Sequence, residues 1–268
     1  MHNRICLIMN LVDKKNIGIL VYGRFPTEKA YGSHLIEIAK AFRDKGGNVT
    51  VFYSKTYNSK TIFTTPDSYY GNCERINFKE LKNIDFTNSP LFLRLPSSIQ
   101  KLIWNFGAIY WSFSIKKYLK NQDFLWSTNP NILVPLTKLK SVIIYEKHGA
   151  AKYIQKLSIK YIASYEKTIL VGTTKKSYEE LSSIRSKNKS IYLPNGVNLS
   201  EYKQIEKNKN HIINIGYIGM LETYGKGKGV EEAINKLIEI SKNRKILITV
   251  IGRAGRKNIK NSFSINRK

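Results

Sequence analysis

Uninterrupted apolar runs of strand length alternate along this chain with patterns of helical period, and that alternation limits the folds open to it. Ile17-Gly-Ile-Leu-Val-Tyr22 reads as a strand, and Ser33 to Asp44 as a helix with Leu35, Ile38, Ala39 and Phe42 on one face. Lys45-Gly-Gly-Asn48 stops that helix, with glycine just past its last turn. The next strand spans 48–53. Residues 55–90 are polar and ambiguous, with only weak strand signals. The rhythm then resumes: a helix over 99–119, strands at 124–126 and 141–145, a helix over 151–166, a strand at 168–172, a helix over 174–183 from a threonine cap, and a strand at 190–193 that stops at Pro194. Strands return at 212–218 and 245–251, with a helix over 230–242 between them. Strands that are apolar at successive positions are buried on both faces, so the chain predicts an α/β fold with a parallel sheet covered on both sides.

At 268 residues the chain is long enough for two domains. The charged stretch 201–210 is the best boundary, because no apolar pattern crosses it. The expected organisation is an amino-terminal tail over 1–15, a first domain over 16–200, a linker over 201–210 and a second domain over 211–268. No internal repeat at a solenoid period is present.

The net charge of +26 comes from 45 Lys and Arg against 19 Asp and Glu. Three readings compete for it: attraction to nucleic acid, attraction to an anionic membrane face, and compositional drift in a chain rich in Lys, Asn and Ile. The lysines are scattered through every segment instead of forming one arginine-rich stripe with interleaved aromatics. That favours drift plus membrane attraction, and no nucleic-acid partner is expected. The two cysteines, Cys6 and Cys73, have no ligand spacing, which argues against a disulfide framework or a zinc site and fits a reducing cytosol. The run Ile5 to Val12 is too short and interrupted to span a bilayer. Residues 102–115 are uncharged but also too short to span. Lys101 before them and Lys116, Lys117 and Lys120 after them leave a buried helix or one resting at a lipid interface, with burial preferred.

Four segments could carry chemistry. Gly219-Met-Leu-Glu-Thr-Tyr-Gly-Lys-Gly-Lys-Gly229 joins a strand to a helix, so backbone N–H groups, the helix dipole and lysine could together hold a phosphate. A Walker A loop is excluded, because five residues separate Gly219 from Gly225 and Gly227 follows Lys226. Phe25-Pro-Thr-Glu-Lys-Ala-Tyr-Gly-Ser33 links the first strand to the first helix at the edge where α/β sheets bind ligands. Gly32 there either lets a phosphate or sugar approach its backbone or only completes a turn. Only Gly23 follows the first strand, so the dinucleotide fingerprint is absent. Tyr145-Glu-Lys-His-Gly149 closes another strand, and His148 at its end is placed to hydrogen-bond a substrate hydroxyl or handle a proton. His2, His34 and His211 have no such context. Asn129-Pro-Asn131 reads first as turn chemistry, with a substrate contact as the alternative.

Taken in order, these segments resemble a GT-B glycosyltransferase of the retaining family 4 type. Phe25-Pro-Thr-Glu-Lys-Ala-Tyr-Gly32 looks like that family's amino-terminal glycine loop, and Glu146-Lys-His-Gly149 like its strand-end histidine motif. Leu193-Pro-Asn-Gly-Val-Asn198 is similar to the Pro-Asn-Gly-Val-Asp segment before the interdomain linker. Ile218-Gly-Met-Leu, followed after the loop by Lys228-Gly-Val230, is similar to the Gly-Arg-Leu…Lys-Gly segment that holds the donor diphosphate. Ile248-Thr-Val-Ile-Gly252 resembles the strand that follows. The match runs from about residue 16 to residue 255.

The resemblance implies a Rossmann-like amino-terminal domain on the acceptor side, plus a second, incomplete Rossmann-like domain for a nucleotide-sugar donor. It implies transfer to a lipid-linked or cell-surface polysaccharide acceptor at the cytoplasmic membrane face, with no metal and no cofactor besides the nucleotide-sugar. His148 would be catalytic. Gly32, Gly219, Lys226, Lys228 and Gly229 would bind the donor diphosphate, and Tyr31, Glu146 and Asn195 would contact substrate. Met220 stands where many relatives have arginine, leaving Lys226 to substitute. No Asp or Glu follows Glu239, although the family's donor-binding carboxylates lie beyond residue 255 in the pattern. The second domain is therefore expected to be cut short by roughly 100 residues. The alternative is a non-catalytic remnant or binding module of this family.

Overall fold

Ile17, Ile19, Leu20 and Val21 all lie at or below 4 % exposure in strand β1 (Asn16–Val21), as a strand covered on both faces requires. The computed structural model describes residues 13–56, 62, 64–83, 89–151, 153–184, 190–196, 213–223, 226–240, 246–254 and 257–265. The chain divides into two compact units, Met1–Val197 and Asn198–Lys268. The linker expected at 201–210, the amino-terminal run with Cys6 and His2, and His211 lie outside the described residues.

In the first unit β1 joins β2 (Asn48–Ser54), β3 (Ile76–Leu81), β4 (Phe124–Ser127), β5 (Val142–Lys147), β6 (Thr168–Gly172) and β7 (Ser190–Tyr192). They form a seven-stranded sheet in the order β3-β2-β1-β4-β5-β6-β7, with every neighbouring pair parallel. Alternate residues of each strand feed two separate cores. Leu20, Leu125, Ile143 and Leu170 face one of them. There they meet helices α4 (Ser97–Ile115), α6 (Tyr153–Ala163) and α7 (Lys175–Ile184) through Ala108, Trp111, Ile159, Ile162 and Leu181. Ile19, Val21, Trp126, Ile144 and Val171 face the other, which α1 (Ala30–Asp44) covers with Leu35, Ile36 and Ala39.

Helix ends follow local chemistry. Helix α1 stops where Gly46 takes φ +85°, its N–H bonding Arg43 O at 2.9 Å while Gly47 N–H reaches Phe42 O at 3.1 Å. Helix α7 starts from a reciprocal cap: Thr174 Oγ1 accepts from Ser177 N at 3.1 Å, and Ser177 Oγ accepts from Thr174 N at 2.9 Å. Thr174→Ala is expected to cost about 1 kcal/mol of stability, read as a lowered urea midpoint at unchanged slope. An unchanged midpoint would remove the cap's role.

Two sequence expectations change. The ambiguous stretch 55–90 holds a short helix, α2 (Pro66–Tyr70), and the edge strand β3, which buries only Ile76 and Leu81 and so lacks a continuous apolar run. A further short helix, α3 (Pro90–Arg94), precedes α4. Helix α4 is not wholly buried. It buries Ala108, Trp111, Ser112 and Ile115 but exposes Phe106, Tyr110 and Phe113. Among the described residues no helix is long and apolar enough to cross a membrane. A four-residue helix, α5 (Pro130–Leu133), fills the turn after β4.

The second unit is a βαβ crossover with an added strand. Strand β8 (Ile213–Met220) pairs parallel with β11 (Ile246–Ala254), and β12 (Lys257–Ile265) pairs antiparallel with β11 along its length. This edge strand lies past the last strand that the sequence predicts. Helix α8 (Val230–Ile240) lays Val230, Ile234 and Leu237 on Ile246, Ile248 and Val250, one turn apart as an amphipathic face demands.

Candidate functional site

The order of the first sheet reverses between β1 and β4: the chain runs outward through β2 and β3, then returns to build β4 to β7 on the other side. A crevice opens at the carboxyl ends of strands at such a reversal. Strand β5 carries Glu146, which is 3 % exposed, one residue before its end at Lys147, and His148 follows the strand directly. Helix α1 brings His34 from the first strand's connection to the same place. Glu146 Oε1 lies 2.8 Å from His34 Nε2 and 2.7 Å from His148 Nε2, and the two imidazoles meet edge to face at 4.5 Å.

Burial alone would push the Glu146 carboxyl up. The hydrogen bonds and charge of His148 and His34 outweigh it and hold the carboxyl below the usual glutamate range. An ionised carboxylate accepts only, so both Nε2 atoms donate to it, and Nδ1 is an acceptor in whichever ring is in its neutral form. His148 lines a cleft of about 420 Å³ together with Tyr31, His34, Thr128, Gly149 and Asn195. A Cβ at Gly149 would meet nothing within 4 Å, so a ligand has room to approach the backbone there. His148 can therefore accept a hydrogen bond from a hydroxyl in the cleft, oriented by a buried charge behind it.

The loop before α1 is tied down from within. Arg24 pairs with Glu28 at 2.5 Å and donates to Thr27 Oγ1 at 3.2 Å, and the Tyr31 hydroxyl donates to Arg24 O at 2.6 Å. The Tyr70 hydroxyl, pushed up to about 12 by burial, stays protonated and donates to Thr27 O at 3.0 Å while accepting from Thr27 N at 2.9 Å. Gly32 sits beneath this clasp: a Cβ there would come 2.2 Å from the Tyr70 hydroxyl and 2.7 Å from Thr27 Cγ2. Its N–H already bonds Lys29 O at 2.9 Å. The structure thus gives Gly32 a packing role, admitting its own loop, and its N–H already has a partner inside that loop.

Other residues fall into place as structure. Asn129 Oδ1 accepts from Asn131 N at 3.1 Å, and the buried Asn131 bonds Asn105 at 2.7 Å and Ser158 at 2.7 Å, which settles 129–131 as turn chemistry. Lys147 is buried next to Glu146 and pairs through Nζ with Glu180 of α7. Burial, then the neighbouring Lys156 and Lys176, lower its pKa. His34 is the residue that sequence reasoning missed. It lies 112 positions from Glu146, on a helix with no local motif.

Of the expected site residues, Tyr31, His148 and Asn195 line one cleft, with Glu146 bonded to His148 behind it. Gly219, Lys226, Lys228 and Gly229 belong to the second unit. There β9 (Glu222–Thr223) pairs antiparallel with β10 (Lys226–Gly227), and Lys228 N–H bonds Leu221 O at 2.9 Å. The Lys228 side chain is free of that bond and exposed. Gly229 takes φ +69° before α8, whose first turn carries Glu231 and Glu232. Those carboxylates already complement the helix dipole, so an anion there relies on lysine more than on the helix end. The three ligating groups of His34, Glu146 and His148 lie within 4.8 Å of one another, a donor set of two imidazoles and a carboxylate. A divalent cation would bind there only by replacing the two hydrogen bonds with coordination bonds.

No protein-family model matches the sequence, and no curated protein does. Solved structures do. A glycosyltransferase from Rickettsia africae ESF-5 is similar at TM-score 0.58 and 17 % identity over 89 % of this chain and 60 % of its own. An α,α-trehalose 6-phosphate synthase from Burkholderia multivorans is similar at TM-score 0.54 and 11 % identity over 89 % of this chain and 65 % of its own. The fold is GT-B-like. This chain spans less than two thirds of the length of either neighbour.

Proposed function

We propose that the chain transfers a sugar from a nucleotide-sugar donor to an acceptor hydroxyl, as a glycosyltransferase of the retaining family 4 type. The observation that carries this reading is the His34–Glu146–His148 cluster at a cleft on the carboxyl edge of a GT-B-like sheet. In this reading the acceptor oxygen bonds to the anomeric carbon as the bond from that carbon to the diphosphate oxygen breaks. The nucleoside diphosphate leaves with the electron pair and takes up the acceptor's proton. His148 Nδ1 accepts from a donor-sugar hydroxyl and fixes the sugar. Lys228, with Lys226 and the glycines beside it, offsets charge growing on the diphosphate, electrostatic stabilisation that needs no metal. Residues 16–200 and 211–268 serve as acceptor and donor domains joined by 201–210. The acceptor is a glycan or lipid-linked glycan at the cytoplasmic face of the plasma membrane.

A second reading, a binding module without turnover, is favoured by one observation: Met220 stands where the family pattern places arginine, which removes one cation from the diphosphate contacts. Both are tested by titrating the purified chain with UDP-, GDP- and ADP-sugars while following nucleoside diphosphate release. The transferase reading expects release that rises with added acceptor, and donor affinity about 10- to 100-fold weaker in Lys228→Ala, the loss of one hydrogen bond to a charged group. Binding without release supports the module. Absence of both defeats the donor reading altogether.

A further inference from the structure

We infer that the outer face of α4 docks the protein onto an anionic phospholipid bilayer, with the basic groove at its carboxyl end holding lipid headgroup phosphates. This extends the membrane-face part of the reading above, and its test uses lipid binding alone. A silent transfer assay would leave it standing, and a failed lipid assay would leave the donor reading standing.

The stripe is built at helical spacing. Ile99, Leu102, Phe106, Tyr110 and Phe113 follow one another at intervals of three or four residues, so they lie on one face. All five are exposed; Phe106, Tyr110 and Phe113 are the most so, at 58 %, 58 % and 61 %. On α3, just before this helix, Leu91 is exposed as well. The opposite face is already occupied, with Ala108, Trp111 and Ile115 in the core against the sheet. Among the described residues, five large apolar or aromatic side chains over ~21 Å of helix are therefore left exposed without a covering element.

Charge selects what covers them. Between residues 91 and 122 there is no Asp or Glu, while Arg94, Lys101, Lys116, Lys117 and Lys120 fall in that stretch. The stripe runs into a groove of about 750 Å³ lined by Lys79, Lys82, Tyr110, Lys117 and Tyr118. Lys79 Nζ and Lys117 Nζ lie 4.7 Å and 5.1 Å from the centroid of the Tyr118 ring, so two cations share one aromatic platform. The groove's one carboxylate, Glu80, faces Lys55 at 3.8 Å. An apolar stripe bordered by cations of a single sign suits an interface where hydrocarbon meets anionic headgroups. Aromatic rings favour that depth, and lysine stems reach from it toward phosphate. A second copy of the chain would set like charges against each other along the same stripe.

The experiment is flotation of the full chain with vesicles of pure phosphatidylcholine and of phosphatidylcholine containing phosphatidylglycerol, at moderate salt. The net charge by itself favours anionic vesicles, so the deciding variant, in the aromatic stripe, keeps it. Phe106→Ser with Phe113→Ser is expected to lower partitioning onto phosphatidylglycerol vesicles at least about tenfold, with circular dichroism and melting unchanged because both side chains are exposed. Lys79→Gln with Lys117→Gln is expected to remove most of the preference for the anionic vesicles. Wild-type flotation by the aromatic variant would overturn the proposal, since binding would then be diffuse charge alone. No flotation of the wild type would overturn it too. A concentration-dependent dimer in sedimentation, abolished by Phe113→Ser, would instead assign the stripe to a second copy.

Discussion

Glu146→Gln is expected to lower donor turnover by about 10²-fold or more while leaving the fold intact, because it removes the charge that orients both imidazoles. Glutamine keeps the shape and one carbonyl oxygen. It cannot stay an acceptor at every edge, and its neutral oxygen holds two N–H donors less strongly than a carboxylate. The graded series is informative. His148→Ala, which removes the group lining the cleft, is expected to cost 10²- to 10⁴-fold, roughly the worth of a positioned acid or base. His34→Ala, acting through Glu146, is expected to cost about tenfold and to fall mainly on kcat. Stability gives an independent readout. Losing charge-assisted bonds costs about 1–3 kcal/mol at neutral pH. The carboxyl's folded pKa lies below its usual value, so its contribution is present above the usual glutamate pKa and is lost as the pH falls through the folded one. The urea midpoints of wild type and Glu146→Gln should therefore converge on acidification. A gap independent of pH would show that the carboxylate is not held as described.

The parallel sheet was legible because its central strands obey the rule that double burial imposes. Ile17–Val21, Ile143–Tyr145 and Leu170–Val171 are apolar in succession, and both cores draw on each of them. Edge strands escape that rule. Strand β3 needs only Ile76 and Leu81 inside, and β12 carries just Ile259, Phe263 and Ile265 at alternate positions, a period-two signal hidden among polar residues. His148 was legible from its place between a strand and a glycine. His34 was not, because its meaning comes from strand order: the reversal at β1 and β4 brings a helix and a strand end together that are far apart in sequence. The packing at Gly32 was equally hidden, because the side chain a Cβ there would meet, Tyr70, comes from a segment with no strong pattern. Hydropathy also misled on 102–115. It sums over both faces of a helix, and here the buried face holds Ala108, Trp111, Ser112 and Ile115 while Phe106, Tyr110 and Phe113 point outward.

Trp111→Ala is expected to cost the first unit about 3–5 kcal/mol, the largest single-residue loss among its helix contacts. Trp111 is fully buried, and it is the bulkiest side chain in the core that α4 shares with Leu20, Leu125, Ile132 and Leu136. The Tyr22 ring packs on it with centroids 5.8 Å apart. Truncation leaves a cavity that the surrounding strands, held in register on both sides, cannot collapse to fill. The matched control is Phe106→Ala, about one turn earlier on the same helix but exposed. It should stay within about 0.5 kcal/mol of wild type. The contrast matters because both residues are large aromatics in an uncharged run that sequence cannot divide into inside and outside. Urea unfolding followed by far-ultraviolet circular dichroism reads both variants. Equal losses would mean that α4 is buried on both faces, which would also remove the surface proposed to meet the bilayer. A large loss at Trp111 beside none at Phe106 would fix the helix's rotation and leave the aromatic stripe free for a partner outside the fold.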